Sequence, residues 1–231
     1  MNTDPIRIGA VIPTRNNRPE FLRQCFRYLD NQTCPVDRRI VVDYAQKTFP
    51  HDIKERYRAG FEALGDSVDL IFLIEDDDFY PSDYIEKSVK MWDEMGRPDL
   101  FGCETTIYYH IFTRAYWKDT HSGRASAFAT AITPNAAADL IWEAIDPLWV
   151  DIGLWKQVPN KATYSQPLAI GIKHGIGKCG GVGHNRQFYR RRPNVFTDPN
   201  CEFLFSKVGK DNFDFFMSQV RKGNGVERVS A

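Results

Sequence analysis

The sequence predicts an α/β protein built on a Rossmann-like, doubly wound, mostly parallel central sheet, and three observations carry that prediction. Apolar runs at residues 8–13, 40–42 and 70–74 are separated by stretches with helical spacing. Each run ends in polar residues: Thr14-Arg15, Asp43, and Glu75 to Asp78. Strand and helix signals that alternate in this way imply parallel strands joined by crossover helices, and ligands collect beyond the carboxyl ends of such strands.

Taken in order, IGAVIP at 8–13 is a short strand that ends in TRNNRP. Pro19 suits a first helical turn, and Phe21, Leu22, Cys25, Phe26 and Leu29 fall on one face. Ile40-Val41-Val42 is β-branched and stops at Asp43; Ile53, Tyr57, Phe61 and Leu64 then repeat the helical period. Leu70 to Ile74 forms the third strand. Asp83 and Glu86 stand at capping-box spacing before Ile85, Val89 and Trp92. Residues 101–133 read as strands around a polar break at KDTHSGR, and Thr133-Pro134 opens a helix through Leu140, Ile141 and Ile145. DIGLWKQV at 151–158 is a further short helix, GIKHGIGKCGGVGH at 171–184 a glycine-rich loop, and FYRRRP at 188–193 a basic, aromatic segment. No repeat, linker or composition shift divides the chain, so residues 1–231 are read as one domain.

Composition narrows the classes. Hydrophobic residues make up 42% of the 231 and charged ones 26%, which is ordinary for a folded chain with a substantial core. Thirty basic residues balance thirty acidic ones, so no global field attracts nucleic acid or an anionic membrane. Five cysteines without a C-x-x-C pair argue against a disulfide framework and a zinc site. No window approaches the roughly 18 apolar residues of a membrane span, and the expected location is the cytoplasm.

The stretch LIEDDDFYP at 73–81 sets four carboxylates directly after an apolar strand. Like charges there repel and lose solvation on folding. A hard divalent cation, Mn2+ or Mg2+, prefers such oxygen ligands, removes the repulsion and can bind a diphosphate. Gly175 to Gly180 matches G-x-G-x-x-G literally, but no helical pattern follows it, which excludes a dinucleotide site.

Four segments in order, IPTRNNRPEFLRQCFRYLDNQ at 12–32, IVVD at 40–43, KERYRAGFEAL at 54–64 and LIEDDDFYPSDYI at 73–85, resemble GT-A glycosyltransferases of the family 2 type. The resemblance implies a metal-dependent hexosyl- or pentosyltransferase using a nucleotide-diphospho-sugar, a UDP-sugar by preference. Residues 1–100 would hold the nucleotide sugar, 101–200 would form the acceptor side, and 201–231 would be a C-terminal extension. By the resemblance, Thr14 and Asp43 contact the base and ribose of the nucleotide beside Pro13, with Tyr44 able to stack on the base, while the planar fork of Arg15 at the same rim suits the diphosphate. Arg56 and Lys178 approach the diphosphate, joined by Lys173, and Asp77 belongs to the donor site. Asp78 is the leading metal ligand, with Asp76 nearer the ribose and His174, or else His184, as a late ligand. LWVDIGLWKQV resembles the stretch whose acidic residue opens a helix below the sugar. That residue, Asp151, would be the general base of an inverting transfer; if it only caps its helix, a retaining route returns.

The acceptor stays open among a saccharide, a protein and modified nucleic acid, the last through Arg186, Arg190, Arg191 and Arg192. Trp117, Trp149 and Trp155, with the tyrosines at 108, 109 and 116, could form a stacking wall for sugar or base, although bulky aromatics are expected mostly in the core. Two alternatives remain: a sugar nucleotidyltransferase, opposed by the absence of glycine from TRNNRP, and a non-catalytic nucleotide-sugar-binding module, kept alive by Val150 where the family shows a second acid.

Overall fold

In the structure, a computed structural model describing residues 5–43, 52–177, 179 and 181–226, the alternating signals become a sheet covered on both faces. The first half runs β1 (Ile8–Pro13), α1 (Pro19–Asp30), β2 (Arg38–Val42), α2 (Ile53–Leu64), β3 (Leu70–Leu73) and α3 (Tyr84–Glu94). The middle continues with β4 (Leu100–Cys103), β5 (Thr105–His110), β6 (Ala115–Thr120), β7 (Thr130–Ile132), α4 (Pro134–Ala138) and α5 (Val150–Gln157). Last come β8 (Lys161–Tyr164), β9 (Gly171–Lys173), α6 (Arg186–Arg191), β10 (Phe196–Thr197) and α7 (Glu202–Val226).

Six strands form the central sheet in the order β2-β1-β3-β7-β4-β8, parallel throughout except for β7. The two-residue period of a strand sends alternate side chains to opposite faces. Leu70, Phe72 and Ile74 join one core with Ile8, Ile12, Phe21 and Phe101. Ile71 and Leu73 join the other with Val11, Tyr57, Phe61, Leu154 and Trp155. A strand buried on both faces has no polar alternation, which is why these runs read as continuously apolar.

β4 passes through Glu104 directly into β5, which opens a second, four-stranded sheet of order β10-β6-β5-β9. This sheet is mixed, with β9 parallel to β5. It is tied to the acidic turn: Phe79 and Ile170 exchange backbone hydrogen bonds of 3.0 Å, and Ile172 N–H donates to Asp78 Oδ1 at 2.7 Å.

Two expectations need correction. The capping box before α3 does not form: Asp83 makes no capping bond and pairs with Lys87, while Glu86 accepts from Thr33 Oγ1. The helix opened by Thr133-Pro134 is short and ends at Ala138, because Gln157 engages the Ile141 backbone on both sides. Residues 202–226, within the expected C-terminal extension, pack on the rest of the chain. Leu204, Val208 and Phe216 are buried in the main core, and Lys222 and Gln219 bind Glu20 of α1. Gly209, at φ 74°, breaks α7 in a conformation that side chains rarely tolerate.

α2 lies close on β1 because Gly60 has no side chain: a methyl there would stand 2.2 Å from Val11 Cγ1. Gly60→Ala gains about 1 kcal/mol of helix propensity, but overpacking a buried strand costs about 3 kcal/mol here. A net loss of about 2 kcal/mol is expected, read as a lower urea midpoint at unchanged slope. An unchanged midpoint would show that α2 can slide on the sheet.

Candidate active site

The ends of β1 and β3 open onto a cavity of about 540 Å³ that α5 and the glycine-rich loop help to line. After Pro13, Thr14 continues the sheet by donating N–H to Val42 O (3.0 Å), and its hydroxyl donates to Asp76 Oδ2 (2.6 Å). Asn16 takes a left-handed φ of 52°, which asparagine tolerates better than most, and the chain turns so that Arg18 precedes α1. Arg18 enters the acidic cluster, donating to Asp76 Oδ1 (2.6 Å) and Asp77 Oδ2 (2.5 Å). Asp77 Oδ2 also meets His174 Nε2 at 2.8 Å. Ile176 N–H donates to His174 Nδ1 (2.9 Å), which leaves the ring proton on Nε2 for Asp77. Phe21 stacks on the same ring at 4.4 Å.

Burial alone would push every one of these carboxyls up. Arg18, then His174, overturns it at Asp77 and holds that group well below the usual range. Burial prevails at Asp76 despite Arg18, and at Glu75 despite Lys173; both are pushed up to about 6. Asp78 rises well above its ordinary value by burial, also against Lys173. Lys173 is desolvated too, yet Asp78 and Glu75 raise it above its ordinary value.

A second network holds the other basic groups. Asp52 accepts from Arg15 Nη2 (2.6 Å) and Nε (3.1 Å) and from Arg56 Nε (3.1 Å), while Arg56 also donates to Val42 O. Asp151, the second residue of α5, accepts from Arg124 Nη1 at 2.8 Å. Burial raises Asp151 and Arg124 opposes the rise.

Of the expected site residues, Pro13, Thr14, Arg15, Arg56, Asp76, Asp77 and Asp151 line the cavity, together with Lys173 and His184. Asp43 is exposed and does not line it. Lys178 and Tyr44 lie outside the described residues, as do the side chains of Arg190 and Arg191. Arg186 sits over Phe112 at 4.3 Å, and Arg192 pairs with Asp119 and stands over Trp117. Trp155 is core, with its indole N–H on Thr130.

The hydrogen bonds bear on the expected metal ligands. Asp76 has both oxygens engaged by Thr14 and Arg18, and His174 has both nitrogens engaged, so neither is poised as a ligand. Asp78 does not line the cavity, although its Oδ2 is buried without a partner. Glu75, Asp77 and Asp78 bring ligand oxygens within 4.8 Å of one another. Four carboxylates against Arg18 and Lys173 leave two negative charges, so one divalent cation fits the set Glu75, Asp77 and Asp78 by donor type and charge. A softer trio, His174, Cys179 and His184, also lies within 4.8 Å. It fits a metal poorly, since backbone N–H groups occupy Nδ1 of both rings and leave their protons on Nε2.

Arg18, Asp52 and Arg124 were not singled out from the sequence. Arg18 carries a weak local signal, its place just before a helix-opening proline; Asp52 and Arg124 carry none.

No family model matches the chain, and no curated protein matches it. Among solved structures, S. aureus TarS, a GT-A-type glycosyltransferase, aligns at TM-score 0.50 and 11% identity over 72% of this chain and 37% of that one. S. aureus TarS 1-349 in complex with UDP-GlcNAc aligns at TM-score 0.50 and 12% identity, over 80% of this chain and 64% of that one. The fold is GT-A. The chain thus spans less than two thirds of these TarS chains. A197 from STIV aligns at TM-score 0.46 and 12% identity over 69% of this chain. In GT-A terms, the cavity lies beyond the carboxyl ends of the parallel strands, where such sheets place their ligands. No helix among the described residues is long and apolar enough to cross a membrane.

Proposed function

We propose that this GT-A chain is a metal-dependent glycosyltransferase that moves a sugar from a UDP-sugar to an acceptor hydroxyl with inversion. The observation that carries the reading is that Asp151 shares one cavity with the acidic turn and its basic partners. The UDP-GlcNAc complex of the TarS neighbour supports the donor class.

Asp151 takes the acceptor's proton as that oxygen bonds to the anomeric carbon, and the bond from that carbon to the diphosphate breaks. A raised carboxyl is the better base near neutral pH, and Arg124, bonded to it, opposes the rise that burial causes. Arg15, fixed by Asp52, and Lys173 present preorganised positive charge to the leaving diphosphate. A divalent cation held by Glu75, Asp77 and Asp78 would supply further neutralisation of that charge.

The test is thermal stability with a panel of nucleotide sugars, with Mn2+ and then with a chelator. A donor at about 100 times its dissociation constant adds about 2.7 kcal/mol. One UDP-sugar is expected to shift the transition only with metal present. Protons compete with the cation for Glu75, so the shift is expected to fade as pH falls through about 6. No shift with any donor would overturn the reading.

A further inference from the structure

Resting on the transferase reading, we infer that the acceptor bound beside Asp151 is a neutral saccharide that stacks on Trp149. Leu148, Trp149 and Val182 are exposed at 43%, 54% and 65%, and all three line the cavity. Single apolar residues scattered over a surface need no explanation; three at one rim do. Trp149 is the cap of α5, two residues before Asp151, so a ring lying on its indole presents a hydroxyl near that carboxylate. The C–H faces of a pyranose are apolar and its edges carry hydroxyls, which is the complement of a flat indole rimmed by hydrogen-bonding groups.

The charges on this wall decide against a phosphate-bearing acceptor. Arg124 is paired with Asp151, and Arg192 with Asp119, each at 2.8 Å. Arg192 is further held over Trp117 (4.9 Å) and Phe188 (5.3 Å). Burial lowers His121 and His184, which keeps both rings neutral near pH 7. Arg124 and Arg192, the two arginines that line this wall, already have counterions, so a polyanion would have to break a pair to bind them. A neutral sugar needs only hydrogen bonds, and Ser126, bonded to Tyr108 OH (2.7 Å) and His121 Nε2 (3.2 Å), offers a relay of them.

The experiment titrates the protein with neutral oligosaccharides of the gluco-, galacto- and N-acetylglucosamine series, and with a short single-stranded oligonucleotide. The heat of binding, measured by calorimetry, is the readout, with UDP and Mn2+ present. A saturable, salt-insensitive change with one saccharide is expected. Trp149→Ala should raise the half-saturating concentration about tenfold or more, the range of an aromatic anchor, whereas Trp149→Phe should retain most of the affinity. A salt-sensitive response to the oligonucleotide alone, no response to any saccharide, or saccharide binding indifferent to Trp149→Ala would overturn the inference. UDP-induced thermal stabilisation, measured on the same samples, reports the donor site separately. Its loss with saccharide binding intact would sink the transferase reading and leave the saccharide site standing.

Discussion

Asp151→Asn is expected to lower transfer by about 10²–10⁴-fold, the range for loss of a general base, while the donor-induced thermal shift is kept. Asparagine preserves the size of the side chain and one oxygen for Arg124, so the first turn of α5 should survive. The rival role is capping, and the Asp151 carboxylate does meet the Ile152 backbone N–H in the first turn. Trp149 occupies the cap position, no side chain makes a capping bond there, and Asp151 lies one residue inside the helix. Near-normal transfer by the variant would remove the base and bring back a double-displacement or retaining route. Arg124→Gln separates positioning from folding. Arg124 lowers the Asp151 pKa, so without it the acid limb of the pH–rate profile should move to higher pH, since the base must be ionised to act. A purely structural Arg124 would leave that limb in place.

Arg18→Met should cost about 3–5 kcal/mol, the usual result of removing one partner from a buried ion pair. The guanidinium is nearly buried and bridges Asp76 and Asp77, whose side chains are 2% and 4% exposed. Methionine keeps much of the stem's volume and leaves the carboxylates uncompensated. Two controls make the cause visible. Lowering the pH protonates carboxyls whose folded pKa is raised, so the deficit should shrink as pH falls through about 6, where Asp76 already titrates. Mn2+ should restore part of the loss, because a cation at Glu75, Asp77 and Asp78 relieves the same repulsion. Wild-type stability in the variant would refute the view that Arg18 holds the cluster together. A loss untouched by either pH or metal would assign it to packing alone.

These two arginines also mark how far the residues could be read in one dimension. β1, α1, α2 and β3 stand at their expected places because each writes its environment into a local period: two for strands, 3.6 for helices. The acidic turn was visible for the same reason, as four charges breaking an apolar run. Its internal roles were not. The expectation put Asp76, Asp78 and His174 on a metal, yet Thr14 and Arg18 engage Asp76, Asp77 and the Ile176 N–H engage the His174 ring, and it is Glu75 and Asp77 that bring oxygens close to Asp78. Lateral position along DDD says nothing about which oxygen faces the cavity.

The sequence by itself determined the alternation of elements, the doubly covered sheet and the strand ends at which chemistry gathers. Tertiary structure alone decided the partners. Arg18 meets Asp77 across 59 residues, Arg124 meets Asp151 across 27, and Ile172 meets Asp78 across 94. The physical reason is one of range. Burial periodicity is repeated at every turn of a helix or strand and so is recorded locally. A buried charge is satisfied by whichever counterion the closed sheet brings within about 3 Å, and no neighbour in the chain carries that information.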